Sequence, residues 1–250
     1  EIHTPGVWGP YWSAMLPGYW LTEGGQSAAG ALVDWTLQES GASADLYRKA
    51  EARGCHPIVL VNEWVAALEE NEAEPGRNLH VLADHHGNRS PRARPDARGS
   101  VCGLTLERGE RQVARLYLAT LQAIACGTGT ILESLSGQGV EIGRVLATGG
   151  ITEKNPLLMQ EYANLLRRDV LVAKTAEGPA LGAAMFAAMA AGIYTNIQET
   201  YDHMGIHDFT VYKPDEIHRA AYEELYRKNK HLRNMLRGVS AEGLNLKVNS

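Results

Sequence analysis

The clearest pattern of apolar and polar positions lies between Val145 and Gly182. A short apolar run ends at the Gly149-Gly150 pair, an amphipathic segment follows Asn155, and a second run of aliphatic residues precedes an Ala-rich segment. Short β-branched runs bounded by glycine predict strands, whereas apolar residues at every third or fourth position predict helices. The order strand, turn, helix, strand, helix indicates an α/β layer built on a parallel sheet.

Helical periodicity predicts most of the remaining structure. A short strand is expected to end at Gly24-Gly25, and a helix with Ser27 as its candidate N-cap is expected over 27–38. Further helices are predicted over 44–54, 57–74, 110–135, 197–204 and 214–236. The helix over 110–135 is expected to be amphipathic, with one apolar stripe formed by Val113, Leu116, Tyr117, Thr120 and Ile124. We therefore predict one folded domain over residues 1–238, followed by a frayed tail over 239–250.

The segment from Thr4 to Gly18 departs from these periodic patterns. It is dense in proline, glycine and aromatic residues, among them Trp8, Tyr11 and Trp12. Large aromatic side chains contribute most to stability when they are buried, so we expect all three rings to be buried. The segment is predicted to be an ordered, irregular loop.

Composition limits the classes of protein that this chain can represent. Of its 250 residues 44% are hydrophobic, and the formal net charge is −5, so we expect a sizeable core and no nucleic-acid partner. The sequence has no long apolar run, and its first residues lack the basic start and apolar middle of a signal peptide. The three cysteines, Cys55, Cys102 and Cys126, lack metal-ligand spacing. We therefore expect a cytoplasmic protein without a membrane partner, with reduced thiols and with Cys126 in the core.

The Gly149-Gly150 pair is the first candidate for ligand binding. It lies where the predicted strand ends, and in open α/β sheets ligands lie beyond the carboxyl ends of the strands. Glycine also lets a ligand approach the backbone closely, because it has no side chain. Two interpretations remain open at this point: the glycines form a tight turn only, or they form part of a nucleotide site.

Longer motifs around this turn resemble a known family. The segments GGITEKNPLLMQ (149–160) and EGPALGAAMFAAMAAGIY (177–194) resemble the adenosine-binding half of the FGGY carbohydrate kinases, which have an actin-like ATPase fold. The segments VWGPYWSAMLPGYWLTEGGQS (7–27) and DHHGNRSP (84–91) resemble the ribulokinase branch of that family. The resemblance covers nearly the whole chain. It implies the C-terminal, RNase H-like domain of a sugar kinase, an α/β fold with a mixed sheet flanked by helices.

The resemblance also implies which residues of the central unit contact a nucleotide. Gly150 is expected to pass under the adenine, and Asn155 is expected to lie at its edge. Gly149 and Lys154 belong to the same turn and are expected to contribute to the nucleotide site.

Three residues near the N-terminus complete the implied site. Glu23 matches a carboxylate that accepts hydrogen bonds from the hydroxyl groups of a ketopentose, although the helix dipole would also favour an acid at a helix start. Gly30 and Asp34 match positions that contact the phosphates and the ribose of the nucleotide. A glycine inside a helix costs about 1 kcal/mol relative to alanine, so Gly30 indicates a close approach either by a ligand or by another helix.

The DHHGNRSP segment raises two hypotheses. The adjacent residues His85 and His86 suggest a metal ion, but no cysteine or third histidine lies at ligand spacing, so we predict no metal site. The resemblance implies instead that Asn88, Arg89 and Ser90 shape a rigid loop at the active edge of the domain.

The chain departs from its relatives at Gly127-Thr128-Gly129. Ribulokinases usually carry an arginine at the position of Gly129, so this chain lacks a cation there and gains a glycine that weakens the helix. The resemblance therefore leaves the local geometry of this helix open.

The implied activity is ATP-dependent phosphorylation of a ketopentose of the ribulose type, and the HGNRSP and EGGQS segments favour D-ribulose. The catalytic aspartate and the Mg²⁺-binding acid of the family lie upstream of the segments that match this chain, so no catalytic or metal-binding residue is assigned here. We expect a nucleotide-binding half that needs an N-terminal kinase domain and is inactive alone. The alternative is a catalytically inactive actin-like module that binds a nucleotide or a partner. An unpaired sheet edge would favour self-association as a homo-oligomer.

Overall fold

The computed structural model describes residues 1–72, 76–175 and 177–236, and the backbone of 239–240 and 243–244. The helices are α1 (Ala29–Glu39), α2 (Ser43–Ala52), α3 (Pro57–Glu69), α4 (Glu110–Ser136), α5 (Gly150–Lys154), α6 (Pro156–Leu166), α7 (Gly178–Ala190), α8 (Ile197–Met204) and α9 (Arg219–Met235). The strands are β1 (Trp8–Trp12), β2 (Trp20–Glu23), β3 (His80–Leu82), β4 (Ser100–Cys102), β5 (Val145–Ala147), β6 (Val170–Ala173), β7 (Phe209–Tyr212), β8 (Val239–Ser240) and β9 (Gly243–Leu244). Among the described residues, no helix is long and apolar enough to cross a membrane.

The central unit of the sequence forms a three-stranded mixed sheet. β5 and β6 are parallel, with Val145 opposite Val170, and β7 pairs with the other edge of β6 in the antiparallel direction. The connection from β5 to β6 contains α5 and α6, and α7 follows β6. The predicted order of elements, the α/β class and the mixed sheet with flanking helices are confirmed.

Helix α4 lies at the centre of the hydrophobic core. Val113, Tyr117 and Ile124, which belong to its predicted apolar stripe, are completely buried. They pack among buried residues of α1, α3 and α6. Each fully buried apolar side chain adds about 1.5–3 kcal/mol to the free energy of unfolding, so α4 stabilises the elements that pack around it. Cys126, on the same helix, is a buried free cysteine, as predicted.

The N-terminal segment contains a hairpin rather than an irregular loop. β1 pairs with β2 in the antiparallel direction. Trp8, Tyr11 and Trp12 are 39%, 45% and 56% exposed, so the prediction that these rings are buried was wrong. A two-stranded ribbon has no second layer of its own to cover its aromatic residues. Instead, the ring of Trp12 packs on that of Trp20 with centroids 4.9 Å apart, and Arg89 lies over Trp8.

Helix α1 starts later than predicted. Its N-cap position is Ala28, whose backbone is left-handed (φ 57°), and no side chain caps the first turn. Ser27 is therefore not the N-cap, and that prediction was wrong. The neighbouring Gln26 anchors this junction to α4: its Nε2 donates hydrogen bonds to the carbonyl oxygen of Ile124 and to Oγ1 of Thr128.

Helix α9 starts at Arg219 rather than at the predicted Pro214. Oδ1 of Asp215 accepts hydrogen bonds from the backbone N–H groups of Ile217 and His218, at 2.9 and 3.2 Å, and these bonds hold the preceding residues in a turn. Beyond α9, the backbone of β8 and β9 forms a short hairpin. The predicted domain boundary at 238 and the rest of the predicted tail lie outside the described residues.

Candidate nucleotide site

The turn between β5 and α6 contains most of the predicted nucleotide contacts. β5 ends at Ala147, Gly149 has a φ of 105°, and the short helix α5 runs from Gly150 to Lys154. Oγ1 of Thr152 donates a hydrogen bond of 2.7 Å to the carbonyl oxygen of Gly149 and closes the turn. Because residues with side chains rarely adopt such a φ, the turn favours glycine at position 149.

A chain of buried polar groups holds this turn against the core. Asn155 is the N-cap of α6, since its Oδ1 accepts a hydrogen bond from the backbone N–H of Leu158 at 3.1 Å. Its Nδ2 donates to the hydroxyl oxygen of Tyr117 at 2.8 Å, and that hydroxyl donates to Oδ1 of Asn62 at 2.9 Å. Burial raises the pKa of Tyr117 well above its usual value, so the phenol remains a hydrogen-bond donor at neutral pH.

These contacts change the interpretation of Asn155. Its side-chain amide was expected at the edge of the adenine, but Asn155 is 0% exposed and both ends of its amide are hydrogen-bonded within the protein. The amide is therefore not available at the surface of this structure. Asn155 fixes the junction of α5 and α6, and its influence on a ligand would pass through the position of the turn.

Open space adjoins the glycines of the turn. A Cβ atom built at Gly149 or Gly150 would meet no described atom within 4 Å, and one built at Gly30 would meet Cδ1 of Ile151 at 4.0 Å. Gly30 on α1 therefore faces the side chain of Ile151 on α5. Asp34 lies one turn further along α1 and is exposed, as are Gly30 and Gly150.

Helix α7 also approaches the end of β5. A Cβ atom at Gly178 would lie 1.9 Å from Oγ1 of Thr148, so the first residue of α7 packs directly on the residue that follows the strand. α1 has no acidic residue in its first turn, whereas the N-cap position of α7 is Glu177. Helix N-termini carry a partial positive charge, so the N-terminus of α1 favours an anionic group such as a phosphate.

Glu23 and Lys154 are placed differently from the glycines. Glu23 ends β2 and is exposed, and it does not belong to the first turn of α1, so the helix-dipole explanation for this acid was wrong. The backbone next to it faces another loop, because the carbonyl oxygen of Gly25 accepts a hydrogen bond from the N–H of Ser90 at 3.1 Å. Lys154 is exposed in the last turn of α5.

The loop that follows β3 is tied together by side chains. Oδ1 of Asp84 accepts a hydrogen bond from Nδ2 of Asn88 at 2.8 Å, and its Oδ2 pairs with the guanidinium of Arg92. The backbones of Asn88 and Arg94 exchange two hydrogen bonds, at 2.8 and 2.7 Å. The loop is therefore held by internal bonds, in agreement with the prediction of a rigid loop.

The departure at Gly129 has a packing reason. A Cβ atom there would lie 3.1 Å from the ring of Tyr226, so the missing side chain leaves room for α9. The same helix brings a different cation to α4, because Arg233 is 6% exposed and its Nη1 donates to Oγ1 of Thr130 at 2.8 Å.

The residues that support the turn were not predicted. Tyr117 was expected only as a member of an apolar stripe, and neither the role of Asn62 in the apolar helix α3 nor the contact of Gln26 with Gly127 was expected. A Cβ atom at Gly127 would lie 2.0 Å from Oε1 of Gln26, so this glycine makes room for the side chain. In the sequence, a polar residue on an otherwise apolar helix face indicates a buried hydrogen bond of this kind, because buried polar groups need hydrogen-bond partners.

Comparison with known proteins identifies the family. The profile for the C-terminal domain of the FGGY family of carbohydrate kinases matches residues 1–191. An FGGY carbohydrate kinase domain-containing protein from Xenopus laevis is 42% identical over 205 residues, which cover 81% of this chain and 37% of that protein. A ribulokinase from Halalkalibacterium halodurans is 35% identical over 232 residues, which cover 91% of this chain and 40% of that protein.

A solved structure shows the same fold. The gluconate kinase of Lactobacillus acidophilus matches with a TM-score of 0.69 at 23% sequence identity, over 90% of this chain and 42% of that one. The chain thus spans less than half the length of each of these relatives. It belongs to the FGGY family of carbohydrate kinases and corresponds to the C-terminal, ribulokinase-like half of such a kinase.

Proposed function

We propose that this chain is the nucleotide-binding half of a kinase that transfers a phosphoryl group from ATP to a hydroxyl group of a ketopentose of the ribulose type. The observation that carries the proposal is the approach of Gly30 to α5 beside the Gly149-Gly150 turn, whose two glycines face open space. A purine fits against backbone that lacks side chains, and the nearby N-terminus of α1 favours phosphates. The match to a ribulokinase supports a pentulose as the second substrate.

Each predicted residue has a role in this proposal. The adenine lies on the backbone of Gly149 and Gly150, while Gly30 and Asp34 lie beside the phosphates and the ribose. A carboxylate repels phosphates, so Asp34 acts on the ribose hydroxyls. Lys154 adds positive charge beside the turn. Asn155 contributes by positioning the turn, because its amide is buried.

Phosphoryl transfer also needs Mg²⁺ and a base that accepts the proton of the sugar hydroxyl. The described residues contain no group of three or more His, Cys, Asp or Glu side chains that could hold a metal ion. We therefore assign the Mg²⁺ ligands and the catalytic base to an N-terminal kinase domain. In this arrangement the present chain contributes the position of the nucleotide and the sugar contact of Glu23. The free cysteines fit a reducing, cytoplasmic location.

Exposed apolar surface indicates where that domain would contact the chain. Trp12 is 56% exposed on the hairpin, and Leu146 is 60% exposed on β5. Within the described residues, β5 pairs with β6 along one edge and has no partner on the other. Unpaired edges and exposed aromatic rings favour contact with another polypeptide segment. Without the N-terminal domain, the same surface would favour self-association.

An assay of the full-length protein tests the activity. The protein is incubated with ATP, Mg²⁺ and D-ribulose, L-ribulose, D-xylulose or glycerol, and release of ADP is followed. We expect ADP release that depends on a pentulose. A protein that binds ATP but releases ADP with none of the sugars would support the alternative, a catalytically inactive nucleotide-binding module. A protein that does not bind ATP would contradict the kinase and the nucleotide-binding module, and would support a module that binds a partner only.

A matched pair of variants tests the turn. Gly150→Val places a branched side chain in the open gap and should abolish calorimetric binding of ATP. Gly143→Val is the control, because Gly143 also faces open space and precedes β5, at the opposite end of that strand from the turn. Unchanged ATP affinity in a folded Gly150→Val variant would remove the turn from the nucleotide site.

A further inference from the structure

The loop that joins β3 to β4 contains one arginine that is bonded differently from the others. Three of its four arginines donate hydrogen bonds to carboxylate or carbonyl oxygen atoms of the same loop, namely Arg92, Arg94 and Arg98. The fourth, Arg89, is exposed and has no hydrogen-bond or ion-pair partner among the described residues. Its donors are therefore available to a ligand.

Two contacts hold the side chain of Arg89 in place. Its Cζ atom lies 4.1 Å from the centroid of the Trp8 ring, and a cation over an aromatic face at an exposed site is worth about 0.5–1 kcal/mol. Its aliphatic part crosses Gly25, because a Cβ atom built there would lie 3.4 Å from Cδ of Arg89. The backbone bond from the N–H of Ser90 to the carbonyl oxygen of Gly25 fixes the same junction. Arg89 is thus directed towards the hairpin rather than into solvent.

The contact with Trp8 places Arg89 beside Glu23. Trp8 and Glu23 lie directly opposite each other in the antiparallel pair of β1 and β2, and side chains in such a pair project from the same face. Glu23 is exposed, and within the described part of the chain it has no hydrogen bond or ion pair, including with Arg89. A carboxylate and a guanidinium therefore share one face without neutralising each other.

The chemistry of these two groups selects the ligand. An ionised carboxylate only accepts hydrogen bonds and a guanidinium only donates them, so the face suits a ligand with a hydroxyl group next to an oxygen atom that only accepts. A ketose has this arrangement, because its carbonyl group lies between carbons that carry hydroxyl groups. An anionic ligand fits less well, since Glu23 would repel it.

We propose that Arg89 donates to the C2 carbonyl oxygen of the pentulose while Glu23 accepts a hydrogen bond from a neighbouring hydroxyl group. Arg89 then determines the preference for a ketose over an alditol. A hydroxyl group at C2 brings a proton that needs an acceptor, and a guanidinium has none to offer. This inference rests on the proposed kinase function and adds one specificity-determining residue to it.

A comparison of two sugars in the unmodified full-length protein gives the first test. D-Ribulose and L-ribulose both give ribitol when the carbonyl group is reduced, so ribitol is the matched alditol for either. We expect kcat/KM for the better ribulose to exceed that for ribitol by roughly tenfold or more. Equal values in an active protein would overturn the role of Arg89 and leave the kinase function intact. ADP release with none of these sugars would contradict the kinase function and the role of Arg89 together.

A matched pair of variants assigns the preference to Arg89. Arg89→Met keeps an unbranched apolar side chain over Trp8 but removes the donors, so kcat/KM for ribulose should fall by roughly tenfold or more. The values for ribitol and the KM for ATP should change much less. Arg108→Met is the control, because it removes the same charge from an exposed arginine between β4 and α4 and should leave both sugars unaffected.

The difference between the two sugars separates a sugar contact from a structural role. A structural role for Arg89 would lower kcat/KM for ribulose and ribitol by the same factor, and that result would overturn the proposal. A raised KM for ATP with an unchanged preference for ribulose would also overturn it, because Arg89 would then act on the nucleotide. Thermal melts of both variants check that they are folded.

Discussion

Replacing Tyr117 with phenylalanine tests the support beneath the nucleotide turn. The substitution removes one hydroxyl group and keeps the ring that fills the core. Nδ2 of Asn155 then has no acceptor at a fully buried position, which costs about 1–3 kcal/mol. Asn62 is less buried and loses a hydrogen bond worth about 0.5–1.5 kcal/mol. We expect the free energy of unfolding to fall by about 2–3 kcal/mol.

Urea denaturation and ATP titration measure the two consequences of this substitution. The urea midpoint should fall while the slope of the transition stays the same, because the unfolded chain exposes nearly the same surface. Tyr117 is buried and does not reach a ligand, yet ATP affinity should fall severalfold because the turn loses its anchor. The control Tyr226→Phe removes a hydroxyl group from α9 and should leave ATP affinity unchanged.

Two results would refute this reasoning. If Tyr117→Phe lowered the free energy of unfolding by less than about 0.5 kcal/mol, the buried hydrogen bonds of Tyr117 would not stabilise the protein. The expected loss of stability with unchanged ATP affinity would show that these buried hydrogen bonds stabilise the core but do not position the nucleotide site.

Three further predictions address other parts of the molecule. Gly178→Ala should lower stability in thermal melts by about 1–3 kcal/mol, because its Cβ would lie 1.9 Å from Oγ1 of Thr148, and adding Thr148→Ala should restore part of the loss. Folding raises the pKa of Glu161 from 4.5 to about 7. The free energy of unfolding should therefore fall by about 3 kcal/mol as the pH rises from about 4.5 to about 7. Urea titrations at several pH values should show this fall, and Glu161→Gln should remove it. In the full-length kinase, Glu23→Gln should raise the KM for the pentulose by the equivalent of about 1.5–3 kcal/mol and leave the KM for ATP nearly unchanged, whereas normal sugar kinetics would remove that assignment.

The helices and the parallel strand pair could be predicted from the sequence because their apolar residues recur with a clear period. The helix over 197–204 has the predicted bounds, and α4 buries the predicted stripe except for Leu116, which is half-buried. The short strand β7 was not predicted, since four residues are too few to show a two-residue alternation. The exposure of Trp8 and Trp12 could not be predicted either, because burial depends on which layers cover a strand and not on the residue type.

The candidate site was predictable in part. The location of the Gly149-Gly150 turn followed from the strand that precedes it, but the approach of Gly30 depends on the packing of α1 beside α5. The sequence could not show that Asn155 is buried, because its partner Tyr117 lies on another helix and belongs to a pattern that reads as apolar. Tertiary contacts between distant residues therefore decide which polar side chains face a ligand and which support the turn.

The most direct test of the nucleotide site is a crystal structure of the protein with bound ADP. We expect the adenine to lie against the backbone of Gly149 and Gly150, beside Gly30, and Asn155 to remain hydrogen-bonded to Tyr117. A nucleotide bound anywhere that leaves the turn without contact would contradict this expectation.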